Sequence, residues 1–208
     1  MYIVLEGIKG SGKSTQFAWL QQWLQQHHPE VPLLCPTQSM HPDSWWEQAA
    51  AVYVHDDDFV SALYTARANH HASQIDWQQP LVVGERSILT SWVTRLPDSD
   101  ADRQAYLNQV LRQEYHSRVP DLVIYLDVGP QFERLQQRLH NRQRHYGLAD
   151  ETLCRLRHAA AGYAYLQTST HPLLCHTQWH CLDAWQAPEA LQQQILGLIQ
   201  PYLLTQTV

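Results

Sequence analysis

The chain has 208 residues, 44% of them apolar and 16% charged, with 14 Lys and Arg against 20 Asp and Glu for a formal net charge of −6. That apolar content supports one real core and excludes disorder as the main state. The acidic balance argues against a nonspecific binder of polymeric nucleic acid, which needs a footprint of Lys and Arg. A small phosphorylated ligand needs only a few local cations and stays possible.

Tyr2–Glu6 is a short apolar, β-branched run closed by Gly7, and predicts a buried strand. From Ser14 to Gln26, Phe17, Ala18, Leu20, Trp23 and Leu24 recur at helical spacing. Val31–Cys35 predicts a second strand before Pro36, and Trp45 to Gln74 a mostly helical stretch interrupted around Asp56-Asp57-Asp58. Leu81–Gly84 predicts a third strand, Ala101 to Arg118 a helix closed by Val119-Pro120, and Leu122–Val128 the clearest strand of all. Gln131 to His145 and Glu151 to Gln167 predict two helices separated by a polar, Arg-rich joint. Trp179–Asp183 is a weak fifth strand, and Pro188 to Leu204 a closing helix that Pro201 is placed to kink.

Strands alternating with helices from end to end predict an α/β fold. It would be a three-layer parallel sheet of about five strands, because right-handed crossovers put helices on both faces. With no repeat and no linker, residues 1–208 read as a single domain. No apolar run approaches the ~20 residues that span a bilayer. Met1 passes directly into the first strand, without a basic segment or a cleavage site. The four cysteines, Cys35, Cys154, Cys175 and Cys181, do not form a disulfide framework. The expectation is a reduced, cytoplasmic protein with no membrane partner. Cys175-His176 and His180-Cys181 lack the ligand order of a structural zinc site, so no metal is expected there.

Gly7-Ile8-Lys9-Gly10-Ser11-Gly12-Lys13-Ser14 fits G-x-x-x-x-G-K-[ST] and stands where that chemistry requires it, after a strand and opening a helix. Its glycines let successive N–H groups point at one anion, and the helix N-terminus adds partial positive charge. The loop with Thr15 is predicted to cradle ATP, Lys13 to reach the β- and γ-phosphates, and the Ser14 hydroxyl to ligate Mg²⁺. A switch GTPase would want N-K-x-D and D-x-x-G motifs, which are missing. Glu85-Arg86-Ser87 follows the third strand, so the Glu85 carboxylate is predicted to face the ligand crevice and help hold Mg²⁺, with Arg86 gripping an acceptor phosphate. Arg134, Arg138, Arg142 and Arg144, then Arg155 and Arg157, cluster in a chain otherwise poor in charge. A cationic lid over residues 138–150, closing on the transferring phosphates, would look like this.

These segments, in this order, resemble the thymidylate kinase family. Tyr2–Gln16 is similar to its F-I-x-x-E-G-x-[DE]-G-x-G-K-[ST]-T-Q opening, and Ala66-Arg67-Ala68-Asn69-His70 to its A-D-R-A-Q-H. Glu85-Arg86-Ser87 resembles its D-R-Y, Pro120–Val128 with Glu133-Arg134-Leu135 its P-D-L strand and following helix, and Leu182-Asp183-Ala184 its closing I-D-A turn. The resemblance implies a P-loop kinase that moves the γ-phosphoryl of Mg-ATP to dTMP, as a homodimer acting on small nucleotides. It implies that Arg67 contacts the base, that Thr90 and Ser91 lie at the pyrimidine, and that Arg86, Arg138, Arg142 and Arg144 supply charge during transfer. Gly10 stands where one subgroup has a P-loop arginine, which the other subgroup replaces with lid arginines.

Three departures are plain. Lys9 replaces an Asp or Glu that meets the sugar 3′-hydroxyl in the family, and Thr37-Gln38-Ser39-Met40 stands in place of T-R-E-P-G-G. E-R-S is the spelling favoured by deoxynucleoside kinases, which need a general base for a 5′-hydroxyl; Asp43 and Glu47 are the nearest carboxylates after the second strand. A nucleoside kinase, or a regulatory P-loop protein without transfer, therefore remains an alternative. Trp45 and Trp46 suit an acceptor pocket or the core equally well.

Overall fold

The computed structural model describes residues 1–36, 49, 52, 53, 56–141 and 151–204. Arg142, Arg144, Thr37-Gln38-Ser39-Met40, Asp43, Trp45, Trp46 and Glu47 lie outside the described residues, as does most of the predicted lid.

Five strands form one parallel sheet: β1 (Tyr2–Glu6), β2 (Leu33–Leu34), β3 (Val82–Glu85), β4 (Leu122–Asp127) and β5 (Gln178–Asp183), in the order β2-β3-β1-β4-β5. Period-two alternation divides the strand side chains between two cores. Tyr2, Val4, Val82, Val123 and Tyr125 face one side; Ile3, Leu5, Val83, Leu122 and Ile124 face the other. The second core is closed by Phe17, Leu20 and Leu24 of α1 (Lys13–His27) and by Ile195 and Ile199 of α7 (Pro188–Leu204), which continues through Pro201. The first core is covered by α3 (Ile88–Thr94), α4 (Asp100–Gln113), α5 (Phe132–His140) and α6 (Leu153–Thr168). Each fully buried large side chain, Trp92 and Phe17 among them, contributes about 1.5–3 kcal/mol.

The segment α2 (Asp57–Ser73) begins at the acidic run. Asp56 caps it by accepting from the Phe59 N–H at 2.9 Å, and Asp57 and Asp58 fill the first turn, where the helix dipole favours negative charge. The interruption expected there is a helix start. The strand expected over 31–35 shortens to Leu33–Leu34, and the helix expected to reach Arg118 stops at Gln113. The short α3 was not expected. Ser87 caps it by accepting from the Leu89 N–H, and its Ile88, Leu89, Trp92 and Val93 are all buried. Its neighbour α6 approaches so closely that a Cβ on Gly162 would stand 2.9 Å from the Val93 Cβ.

From β3 the chain crosses over the central β1 to reach β4 on the other side. Such a reversal leaves a crevice at the carboxyl ends of the strands. Gly7, which follows β1, and Glu85, which ends β3, both open onto it.

Candidate active site

The loop after β1 turns back on itself through glycines. Gly10 and Gly12 hold φ of 90° and 100°, values that side-chain-bearing residues rarely adopt. An arginine at position 10 would be strained by that φ, and its Cβ would stand 2.7 Å from Leu135 Cδ1. Gly12 caps α1 with no side chain on the first-turn N–H groups, of which that of Thr15 donates to the Gly12 carbonyl at 3.1 Å. The Ser11 hydroxyl is buried within the loop and has no hydrogen-bond partner among the described residues. Lys13 is 3% exposed and folds over the loop, donating to the carbonyls of Gly7 at 2.6 Å and Ile8 at 3.0 Å. An orphaned hydroxyl, uncapped amides and a buried ammonium fit a polyphosphate.

Ser14 and Glu85 meet across the crevice, the Ser14 hydroxyl donating to Glu85 Oε1 at 2.7 Å. The Cys35 thiol, just beyond β2, donates to Glu85 Oε2 at 3.1 Å. Burial pushes the Glu85 carboxyl up, but Arg86, the Ser14 hydroxyl, Lys13 and the Cys35 thiol outweigh it and leave Glu85 below its ordinary value. A hydroxyl and an ionised carboxylate side by side are hard oxygen donors. They fit a Mg²⁺ ion that keeps several waters and takes phosphate oxygens as further ligands.

Arg86 follows with φ of 64°, a left-handed conformation uncommon for a residue with a side chain. Such strain persists only where surrounding contacts impose it. The Arg86 N–H donates to Leu5 O at 3.1 Å, and the Tyr2 hydroxyl donates to Arg86 O at 3.4 Å. The next residues are held by Glu6, which is fully buried. Its Oε1 accepts from the Ser87 N–H and hydroxyl, both at 2.8 Å. Its Oε2 accepts from Thr90 Oγ1 at 2.9 Å and from the Tyr163 hydroxyl at 2.6 Å. Arg86 lies in the wall of the crevice, its Nε buried and lacking a hydrogen-bond partner among the described residues.

A cavity of about 1200 Å³ runs from this point, and Gly7, Ile8, Lys9, Ser14, Arg67, Glu85, Arg86, Thr90 and Ser91 all lie in its wall. Pockets for one small ligand usually hold 300–1,000 Å³, so this one has room for an acceptor beside donor phosphates. Arg67 lies over the Tyr64 ring at 4.9 Å. The Thr90 hydroxyl is engaged with Glu6, as above, and the Ser91 hydroxyl donates to Glu114 Oε1 at 2.5 Å. Lys9 carries a cation into the cavity, but that charge is met: its Nζ lies 2.9 Å from Oε1 of the buried Glu151.

Of the arginine cluster, Arg155 lies in the cavity wall, and Arg157 pairs with Glu133 at 2.8 Å. Arg134 and Arg138 stack over Trp185 at 4.1 and 5.8 Å from its ring centre. The Arg138 Nη2 also stands 3.8 Å from where a Cβ on Gly12 would be. Sequence reasoning missed Glu6, Glu114, Glu151 and Trp185. Glu6 had a usable signal, an acid inside an otherwise apolar strand. Nothing local marks the other three, because each acquires its meaning from a partner distant in sequence.

Residues 5–195 match the profile of the thymidylate kinase family. The chain is 29% identical over 153 residues to the thymidylate kinase of Marinomonas sp. (strain MWYL1), covering 67% of this chain and 69% of that protein. It is 27% identical over 139 residues to a Methanobrevibacter smithii protein named "Probable thymidylate kinase", covering 62% of this chain and 64% of that one. The matched stretch thus spans about two thirds of the length of these relatives. Among solved structures, deoxyadenosine kinase from M. mycoides with bound dATP has a TM-score of 0.67 at 14% identity, over 96% of this chain and 100% of that one. The same enzyme with dCMP and dCDP has a TM-score of 0.65 at 17% identity, over 97% and 100%. At such identities the structural likeness speaks for the fold, and the sequence matches speak for the family. The chain belongs to the thymidylate kinase family, a family of nucleotide-binding phosphotransferases.

Proposed function

We propose that this chain transfers the γ-phosphoryl group of ATP to the phosphate of a pyrimidine deoxynucleotide, with dTMP as the first acceptor to test. The observation that carries this reading is Arg86. Its backbone is held in an uncommon conformation, and it lines a roomy cavity beside the phosphate cradle, with a buried Nε that lacks a partner among the described residues. A cation placed so fits an anionic acceptor, which needs no general base, only alignment and charge stabilisation.

In this reading the amides of residues 7–15 hold the donor phosphates, and Lys13 leaves the Gly7 and Ile8 carbonyls to reach the β- and γ-phosphates. Ser14 and Glu85 would hold Mg²⁺, which when bound neutralises charge on the β- and γ-oxygens. Arg86 fixes the acceptor phosphate in line with the γ-phosphorus. Arg67, Thr90 and Ser91 line the acceptor's side, and Arg138 supplies charge from the donor's side; Arg142 and Arg144 would add to the charge during transfer. Asp43 and Glu47, the candidate bases for a 5′-hydroxyl, lie outside the described residues. The E-R-S spelling keeps a nucleoside acceptor as the second reading.

The test is ADP release from Mg-ATP with dTMP, dUMP, dCMP, thymidine and deoxycytidine, using Lys13→Ala as control. Turnover on a monophosphate, lost in the control and reduced at least ~100-fold in Arg86→Ala, supports the reading. Turnover on a nucleoside alone, or none on any acceptor while ATP still binds, overturns it.

A further inference from the structure

At the far end of the cavity stands a carboxyl that phosphoryl transfer does not use. Glu114 follows α4, lies in the cavity wall and is 1% exposed. Its Oε1 accepts the Ser91 hydroxyl at 2.5 Å and the Ser117 hydroxyl also favours the ionised carboxyl, while Oε2 is buried and has no hydrogen-bond partner among the described residues. The adjacent Tyr106 hydroxyl is committed, donating to the Ser91 carbonyl at 3.1 Å. A buried carboxylate oxygen without a donor loses its hydration and gains nothing in return, which is why such groups are rare in native proteins.

The cavity thus offers two complementary groups. At one end the Arg86 Nε is a donor for an anion, and at the other the Glu114 Oε2 is an acceptor awaiting a donor. Ser91, whose hydroxyl holds Glu114, lies five residues beyond Arg86, with the start of α3 between them. A ligand that satisfies both has an anion at one end and an N–H at the other. A pyrimidine nucleoside monophosphate has that form, the N–H being N3–H of thymine or uracil.

We propose that Glu114 is the specificity-determining residue of this cavity: its Oε2 accepts the hydrogen bond from the N–H on the Watson–Crick edge of the acceptor's base, with Ser91 holding the carboxyl in place. This rests on the reading of the cavity as the acceptor site. Once ionised, the carboxylate has no proton to offer, so a base edge with only acceptors opposite Oε2 leaves both partners unpaired and is rejected. The comparison is therefore made at a pH well above 7, where Glu114 is ionised.

The experiment compares kcat/KM for dTMP and its N3-methyl derivative in the wild-type chain, Glu114→Gln and Glu114→Ala, with dCMP as a third acceptor. Thymidine and N3-methylthymidine run in parallel by equilibrium binding. The expected wild-type preference for dTMP over the N3-methyl compound is about 100-fold or more, falling below about 5-fold in Glu114→Ala. The Gln variant keeps the shape of the side chain and separates loss of recognition from loss of fold, which thermal melting checks independently. A preference unchanged in a folded Ala variant overturns the proposal, since a merely structural carboxyl would not move that ratio. A preference for dCMP that the Ala variant abolishes supports Glu114 as the base reader, with the exocyclic amine as the donor. If no monophosphate is turned over but the thymidine pair shows the same Glu114-dependent preference, the monophosphate reading fails and this proposal stands. If wild type binds neither pyrimidine while still binding ATP, both fail.

Discussion

Lys9 Nζ lies 2.9 Å from Glu151 Oε1, joining the phosphate loop to the residue two positions before α6. Their side chains are 19% and 6% exposed, so neither charge has much water to fall back on. Sequence alone makes Lys9 a reversal of sign where the family carries an acid. The pairing neutralises that reversal within the chain itself. Truncating one partner of such a pair leaves the other buried and unmatched, at a cost of about 3 kcal/mol. Lys9→Ala, which strands the more buried Glu151, is therefore expected to lower stability by about that amount, and Glu151→Ala by less, since the lysine it strands is the more exposed. The exchange Lys9→Glu with Glu151→Lys is expected to recover most of the loss. Urea unfolding of wild type, Lys9→Ala, Glu151→Ala and the double alanine variant closes a double-mutant cycle and gives the coupling; a coupling near zero would show the pair to be inconsequential.

Arg86 separates a backbone effect from a side-chain effect. Glycine adopts φ of 64° without strain and alanine does not. Arg86→Gly is expected to be more stable than Arg86→Ala by about 1 kcal/mol, while both lose transfer by a similar factor. Paired melting and rate measurements check this. Equal stability of the two would mean that the left-handed conformation is not held in solution.

Glu114 predicts a pH dependence of stability. Burial pushes its carboxyl from the ordinary 4.5 up to about 7, against the opposing Ser91 and Ser117 hydroxyls. The titratable groups that interact with it are Tyr2 and Tyr106, and burial pushes both phenols up, Tyr106 to about 12, so they stay neutral. Between pH 4.5 and 7 the folded chain holds a proton that the unfolded chain has released. Stability from this group is accordingly full below pH 4.5 and lost as pH rises to 7, on the order of 3 kcal/mol in all, and level above. The difference between wild type and Glu114→Gln in urea unfolding across that range isolates it. A difference that does not change with pH would refute the assignment.

What the sequence disclosed about the fold came from local regularities. The run Leu122–Val128 and the alternation in β1 needed only period and composition, and the phosphate loop only its glycine spacing. The short α3 escaped because its seven residues, Ile88–Thr94, are too few to display a helical period. Its start is set by the left-handed Arg86 and by the Ser87 cap, neither of which composition announces. At the site, Lys13, Ser14, Glu85, Arg67 and Arg86 were legible because they sit in ordered motifs. Glu114 and Glu151 were not, since a glutamate near a helix end looks the same whether it meets solvent, Ser91 or Lys9.

Glu6 has a consequence for how the chain comes to be active. Its carboxylate joins groups 81, 84 and 157 residues away in sequence, from Ser87, Thr90 and Tyr163. Contacts of such long range are slow to form and come after local turns and helices. The phosphate loop and α1 are contiguous in sequence and can organise early. The seating of Ser87, and with it the posture of Arg86, waits for α6 to dock. A nascent chain that has not yet delivered Tyr163 is thus expected to bind ATP before it can use it, and the Ser87 amide to be among the last to gain protection in pulsed hydrogen exchange during refolding.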